Sequence, residues 1–187
     1  MNIPWGSEPA KKFVTNVGLI TSNGPHGDNI MSAEWTHQVS YQPGMILISL
    51  KTSEATYENI IKSKEFGVNL ASQEQNVMAS VAGGSSGKNV NKIEALKELG
   101  FKFFKAKKIK ALMVEGASLN VECRLANTVE IGDHVAFVGE AVEVHPITAK
   151  EPLAYHGLKY WRLNETIPKP PQEELERIQK IIEEHKR

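Results

Sequence analysis

Residues 118–125, SLNVECRL, constrain the fold of this chain more than any other stretch. Leu119, Val121, Cys123 and Leu125 alternate with Ser118, Asn120, Glu122 and Arg124, which is the two-residue period of a strand with one apolar and one polar face. Ile131-Gly132-Asp133 then reads as a turn. Residues 134–144 form a long return strand whose apolar phase slips near Gly139, and that slip predicts a bulge.

The first half supplies more strands. Residues 13–22, FVTNVGLITS, are rich in β-branched side chains and run into the turn-forming NGPHGD. Residues 30–41 are mixed and make a second strand candidate. Residues 44–50, GMILISL, are a nearly unbroken apolar run, as expected of a strand covered on both faces. Short strands are expected at 66–70 and 159–163.

Helices are few and short. Ser53 is expected to cap one that carries Tyr57, Ile60 and Ile61 on one side. Ser72 and Gln75 make a capping-box pattern before Val77, Met78 and Val81, with a stop at Gly83-Gly84. Asn91 and Glu94 suggest another start, with Ile93, Leu96 and Leu99 inward and Gly100 as the stop. After the proline-rich IPKPP, residues 172–187 predict an amphipathic helix with Leu175, Ile178, Ile181 and Ile182 on one face. Strands and helices do not alternate as in a βαβ series, so the expected class is mainly β, an antiparallel Greek-key-like barrel with helices at its rim. The domain spans 1–165, and the tail helix in 166–187 packs on the barrel or on a second subunit.

Composition narrows the function. The chain has 187 residues, and its 22 basic and 22 acidic side chains cancel. This argues against a general nucleic-acid binder. Cys123 is the sole cysteine, which excludes an intrachain disulfide and a cysteine-cage metal site. No apolar run reaches transmembrane length, and the start MNIPWGSEPAKK lacks the apolar core of a signal peptide. A cytoplasmic protein is expected, with no membrane partner.

Residues 81–92, VAGGSSGKNVNK, look at first like a phosphate loop. A P-loop requires G-x-x-x-x-G-K-[ST], but Ala82 stands where the first glycine belongs and Asn89 where the hydroxyl belongs. On residues alone this is a glycine-serine connector between helices. No G-x-G-x-x-G follows a strand, no G-x-S-x-G is present, and the six histidines show no metal-binding spacing. A better anion candidate is residues 49–56, SLKTSEAT, which join hydroxyls and Lys51 to a predicted helix start, where free N–H groups and the helix dipole favour an anion. The same residues also read as an ordinary capped helix.

Several of these segments, in this order, resemble the flavin reductase-like family of FMN-binding split barrels. They are GLITS, NIMSAEW, SYQP before an apolar strand, Thr56 with Asn59-Ile60, FGVNL, Asn91-Lys92, and an E-C strand followed by G-D-H and G-E. The family includes small ferric reductases, flavoredoxins and reductase partners of flavin monooxygenases, and the likeness runs from about residue 10 to 163. The resemblance implies an FMN phosphate on Ser49, Lys51, Thr52, Ser53 and Thr56. It implies an isoalloxazine along Asn29, Ile30, Met31, Ser32 and Ala33, near Trp35. It makes Gly83, Ser85, Ser86 and Lys88 candidate walls of the pocket, or a connector beside it. Lys92 is expected to lend positive charge, and His156 to approach the flavin or its partner. No catalytic acid or base and no metal site is expected. The implied activity passes electrons from NADH or NADPH through FMN to ferric iron, free flavin or a protein acceptor. The alternatives are a flavoredoxin-like electron carrier without nicotinamide activity, or a barrel that has lost flavin. A homodimer is implied, with flavin near the interface.

Overall fold

The structure is a computed structural model and describes residues 1–185. In chain order the strands are β1 (Val14–Asn16), β2 (Gly18–Ser22), β3 (Asn29–Ala33), β4 (Thr36–Tyr41), β5 (Gly44–Leu50), β6 (Glu65–Leu70), β7 (Phe103–Lys105), β8 (Leu112–Val114), β9 (Leu119–Ile131), β10 (His134–Val144), β11 (Ala154–His156) and β12 (Lys159–Trp161). The helices are α1 (Ala55–Ser63), α2 (Asn76–Gly84), α3 (Lys92–Glu98) and α4 (Gln172–Glu184).

Seven strands form one antiparallel sheet in the order β3-β2-β6-β9-β10-β5-β4. Its two outermost strands, β3 and β4, are consecutive in the chain and joined by Glu34-Trp35 alone. Two residues cannot cross the width of a flat sheet, so the sheet curls until its edges approach. Contacts at the seam agree: Asn16 Nδ2 donates to the Thr36 carbonyl at 2.6 Å, and a Cβ on Gly18 would lie 2.2 Å from Thr36 Oγ1.

This curl accounts for two departures from the sequence reading. The single strand expected at 13–22 divides at Val17, with β1 joining a small sheet of order β1-β11-β12 and β2 entering the large one. The mixed strand at 30–41 is in fact β3 and β4, split at the seam. Strand β2 is buried along its whole length. Leu19 packs with Ile30, Met78 and Leu96 on the α2–α3 side, while Ile20 packs with Ile48, Ile60, Phe66 and Phe137 inside the curl.

Other expectations meet local physics. The long hairpin β9–β10 is present, and its register shifts between Val138 and Gly139, with a second shift between Ala141 and Glu143. The alternating segment at its start is not half-exposed, because Asn120 and Glu122 are buried with the apolar residues. Strand β8 and the segment 106–111 cover that face: Asn120 Nδ2 donates to the Val114 carbonyl at 2.9 Å, and Glu122 accepts the backbone N–H groups of Lys107, Lys108 and Ile109. Conversely, β5 is covered on one face only, and Met45 and Leu47 remain partly exposed. Helix α1 begins one residue later than expected, with Glu54 and not Ser53 as N-cap, and neither provides a side-chain cap. Ser72 does not cap α2, whose N-cap is Gln75; Gln75 Oε1 instead accepts the Ser72 N–H at 3.0 Å. Asn91 caps α3 through the Glu94 N–H, and Gly100, at φ +89°, ends it. Leu99 falls on the C-cap and is 57% exposed, so it does not face inward. No side chain of α4 is buried, and Leu175, Ile178, Ile181 and Ile182 stand on its exposed surface.

Candidate functional site

Strand β3 pairs with β2 alone, so alternate backbone groups along its free edge have no partner in the sheet. Against that edge pack the start of α1 and the loop after α2. Between them lies a cavity of about 370 Å³. Asn29, Met31 and Ser32 supply one wall, Ser53, Glu54, Ala55 and Thr56 the helix start, and residues 82–87 a third side. Lys92 closes the floor.

The side chains are held from behind. Asn29 Nδ2 donates to Thr56 Oγ1 at 2.8 Å, tying β3 to the first turn of α1. Ser32 Oγ donates to the Ala79 carbonyl at 2.6 Å. The glycines let the end of α2 and the loop after it come close: a Cβ on Gly83 would lie 3.3 Å from Ser32 Cβ, and one on Gly87 2.3 Å from Asn29 Oδ1. Lys92 is 2% exposed, and its Nζ donates to the Ala82 carbonyl at 3.0 Å. Burial drives its pKa down to about 8, against the pull of Glu54. Burial likewise pushes the Glu54 carboxyl above the ordinary carboxylate range, with Lys51, His134 and Lys92 opposing. Glu54 Oε2 is buried without a hydrogen-bond partner.

A second cavity of about 480 Å³ shares Ser32, Glu54 and Gly83 with the first and continues along the rim. Ala33, Lys51, Tyr155 and Tyr160 line it, as does Trp5, whose Nε1 donates to Glu34 Oε1 at 3.2 Å.

The structure therefore gathers Asn29, Met31, Ser32, Ser53, Thr56, Gly83, Ser85, Ser86 and Lys92 around one hollow, with Ala33 and Lys51 on its extension. Other candidates stand apart. Ile30 is fully buried in the core. Trp35 is 46% exposed and lies against His134, with ring centroids 4.6 Å apart and planes tilted by 58°. Ser49 lies within β5, where its N–H donates to the Trp35 carbonyl. Thr52 is exposed in the turn before α1. Lys88 points away from the hollow to Glu58. His156 sits on β11 with Nδ1 3.3 Å from the Phe13 carbonyl, while its neighbour Tyr155 reaches the second cavity. Sequence reasoning passed over Glu54 and Gly87, although both lie inside segments it singled out. Trp5 and Tyr160 carried no local signal, since only the fold brings them to the rim.

The α1 start can take an anion. The first-turn N–H groups of α1 lack intrahelical acceptors, hydroxyls of Ser53, Thr56, Ser85 and Ser86 surround them, and Lys92 has a single carbonyl partner.

A curled antiparallel sheet with such a rim is the flavin reductase split-barrel fold. Residues 10–164 match the family model described as the flavin reductase like domain, and the chain belongs to that family. It is similar to an uncharacterized protein of Archaeoglobus fulgidus, 33% identical over 67% of this chain and 69% of that protein. It is also similar to an FMN reductase (NADH) RutF of Pseudomonas syringae, 25% identical over 81% and 82% of the two chains. Among solved structures, flavin reductase PheA2 superposes with a TM-score of 0.73 at 27% identity, over 88% of this chain and all of that one. None of the helices among the described residues is long and apolar enough to cross a membrane.

Proposed function

We propose that the chain is an FMN-binding oxidoreductase that takes electrons from NADH or NADPH and delivers them to ferric iron, free flavin or a protein acceptor. The observation that carries this reading is the hollow where the α1 start, the free edge of β3 and Lys92 meet. Family membership and the named activities of the similar proteins support it. When bound, the flavin supplies the redox chemistry, accepting hydride and releasing electrons.

The protein's part is to bind and tune. Thr56, Ser53 and the first turn of α1 hold the phosphate, with Lys92 contributing charge from the floor. Backbone N–H groups on the free edge of β3 face the polar edge of the ring, where fixed donors favour negative charge. Ser85 and Ser86 close the other side. The second cavity, between Lys51, Tyr155 and Tyr160, receives the nicotinamide or the acceptor. The partly exposed outer face of β5 and the apolar face of α4 support a homodimer.

The visible spectrum of the purified protein, followed under anaerobic addition of NADH or NADPH, tests this reading. A yellow protein that bleaches promptly is the expected result. Bleaching only by dithionite or a protein donor would make it an electron carrier, and a colourless protein that takes up no FMN would overturn the site. Thr56→Ala should weaken FMN binding about tenfold or more, the loss of about 1.5–3 kcal/mol expected for a hydrogen bond to a charged group. Riboflavin, lacking the phosphate, should bind almost as before. Equal loss of both ligands in equilibrium dialysis would place the phosphate elsewhere.

A further inference from the structure

We propose that the ion cluster Lys88–Glu58–His26 bolts the 85–91 loop across the anion end of the hollow and makes the site selective for a flavin mononucleotide over a flavin dinucleotide. This rests on the flavin reading of the hollow.

The anion end is marked by Ser53 and Thr56. Two residues further along α1 stands Glu58, whose Oε1 accepts from Lys88 Nζ and whose Oε2 lies 2.8 Å from His26 Nε2. The histidine is itself fixed to the helix. Its backbone N–H donates to Asn59 Oδ1 at 2.9 Å, and Asn59 Nδ2 donates to the Gly27 carbonyl at 3.0 Å. Asn59 is fully buried. The 23–28 loop and α1 thus form one rigid flank, and the 85–91 loop is pinned to that flank by Lys88.

Beyond the pinned loop lies another hollow, of about 390 Å³, lined by His26, Asp28, Lys88, Asn91 and Glu94 among others. It shares only Gly87 with the first. The gap there is shut, because even one added carbon on Gly87 would lie 2.3 Å from Asn29 Oδ1. A phosphate monoester ends at this wall. A dinucleotide carries a second phosphate and a nucleoside on the first phosphate, and these must pass the wall. To let them through, the loop must lift, which separates Lys88 from Glu58. The second phosphate would then enter a hollow where Asp28 and Glu94 stand beside His26 and the freed Lys88, so the barrier is the lifting of the loop. An exposed ion pair is a weak, salt-sensitive fastening, so the selectivity is finite and falls as ionic strength rises.

Calorimetric titration of wild type and Glu58→Gln with FMN, FAD and riboflavin tests the proposal. Wild type should bind FMN at least about tenfold tighter than FAD, and Glu58→Gln should bring FAD up by about three- to fivefold, what an exposed ion pair supplies, while FMN is unchanged. Lys88→Met breaks the same pair from the other side, so the FAD-to-FMN affinity ratio should rise in it too, and it serves if Glu58→Gln fails to fold. A wild type that binds both nucleotides equally, or variants that leave the ratio unchanged, would overturn the selectivity alone. A wild type that binds none of the three ligands would overturn the flavin site as well.

Discussion

Lys92 shows how one residue couples stability to binding. A buried ammonium with one carbonyl partner is costly, and its folded pKa of about 8 lies below the ordinary lysine value of 10.5. The folded state therefore binds fewer protons than the unfolded state between those values, and stability rises with pH across that window. Lys92→Met should remove this rise and stabilise the protein at pH 7 by about 1–3 kcal/mol in urea unfolding. In the proposed site the same charge serves the anion. FMN affinity should fall as pH climbs through about 8, and in Lys92→Met that pH dependence should vanish along with part of the affinity. The position was visible in the sequence as the end of an N-K pair, but its burial was not, because its partners are the Ala82 carbonyl on α2 and Glu54 just before α1. Gly139 is a contrasting case. Its bulge is announced by the slipped apolar phase of its own strand. A Cβ there would lie 2.4 Å from Phe66 Cζ and 2.9 Å from Cys123 Cβ, so Gly139→Ala should cost about 1–3 kcal/mol in thermal unfolding.

Among the elements, β9 is where local pattern and tertiary cover part company. Its alternation was legible, yet Asn120 and Glu122, on the polar face, are buried. Glu122 takes three backbone N–H groups and His145 Nε2, the last at 2.7 Å. Burial alone would raise its pKa, but the donors from Lys107, Lys108 and His145 outweigh that, so the carboxyl titrates below its ordinary 4.5. A lowered carboxylate pKa means that this stabilisation is complete above pH 4.5 and is lost as pH falls through the folded value. Glu122→Gln puts an amide N–H₂ against backbone donors. It should cost about 3 kcal/mol and speed hydrogen exchange at residues 107–109. Nothing near Glu122 in sequence hints at this, since its partners lie 13 to 23 residues away. Cys123 beside it is fully buried, and burial and then the Glu122 charge hold its pKa up at about 12. Strand β5 deviates in the opposite sense, because its unbroken apolar run predicts two covered faces and one chain covers only one.

For the molecule as a whole, that uncovered face and α4 bear on assembly. Residues 162–173 are exposed, and α4 buries no side chain in its own chain. Deleting residues 166–187 should leave the thermal midpoint nearly unchanged and convert the proposed dimer to a monomer in light scattering. A truncated protein that stays dimeric would remove α4 from the interface. What the chain determined by itself was periodic or local: the mainly β class, the long hairpin with its bulge at Gly139, and the Asn91 cap and Gly100 stop of α3. Each of these is set by neighbours a few residues away, through side-chain alternation, turn chemistry or capping. Only the tertiary structure decided that β3 and β4 are opposite edges of one sheet, that Glu122 and Lys92 are buried, and that Glu54 and Gly87 join the hollow. The sheet curls because a two-residue link must join its outermost strands, and curling brings together residues far apart in sequence, a consequence of chain geometry that no local pattern encodes.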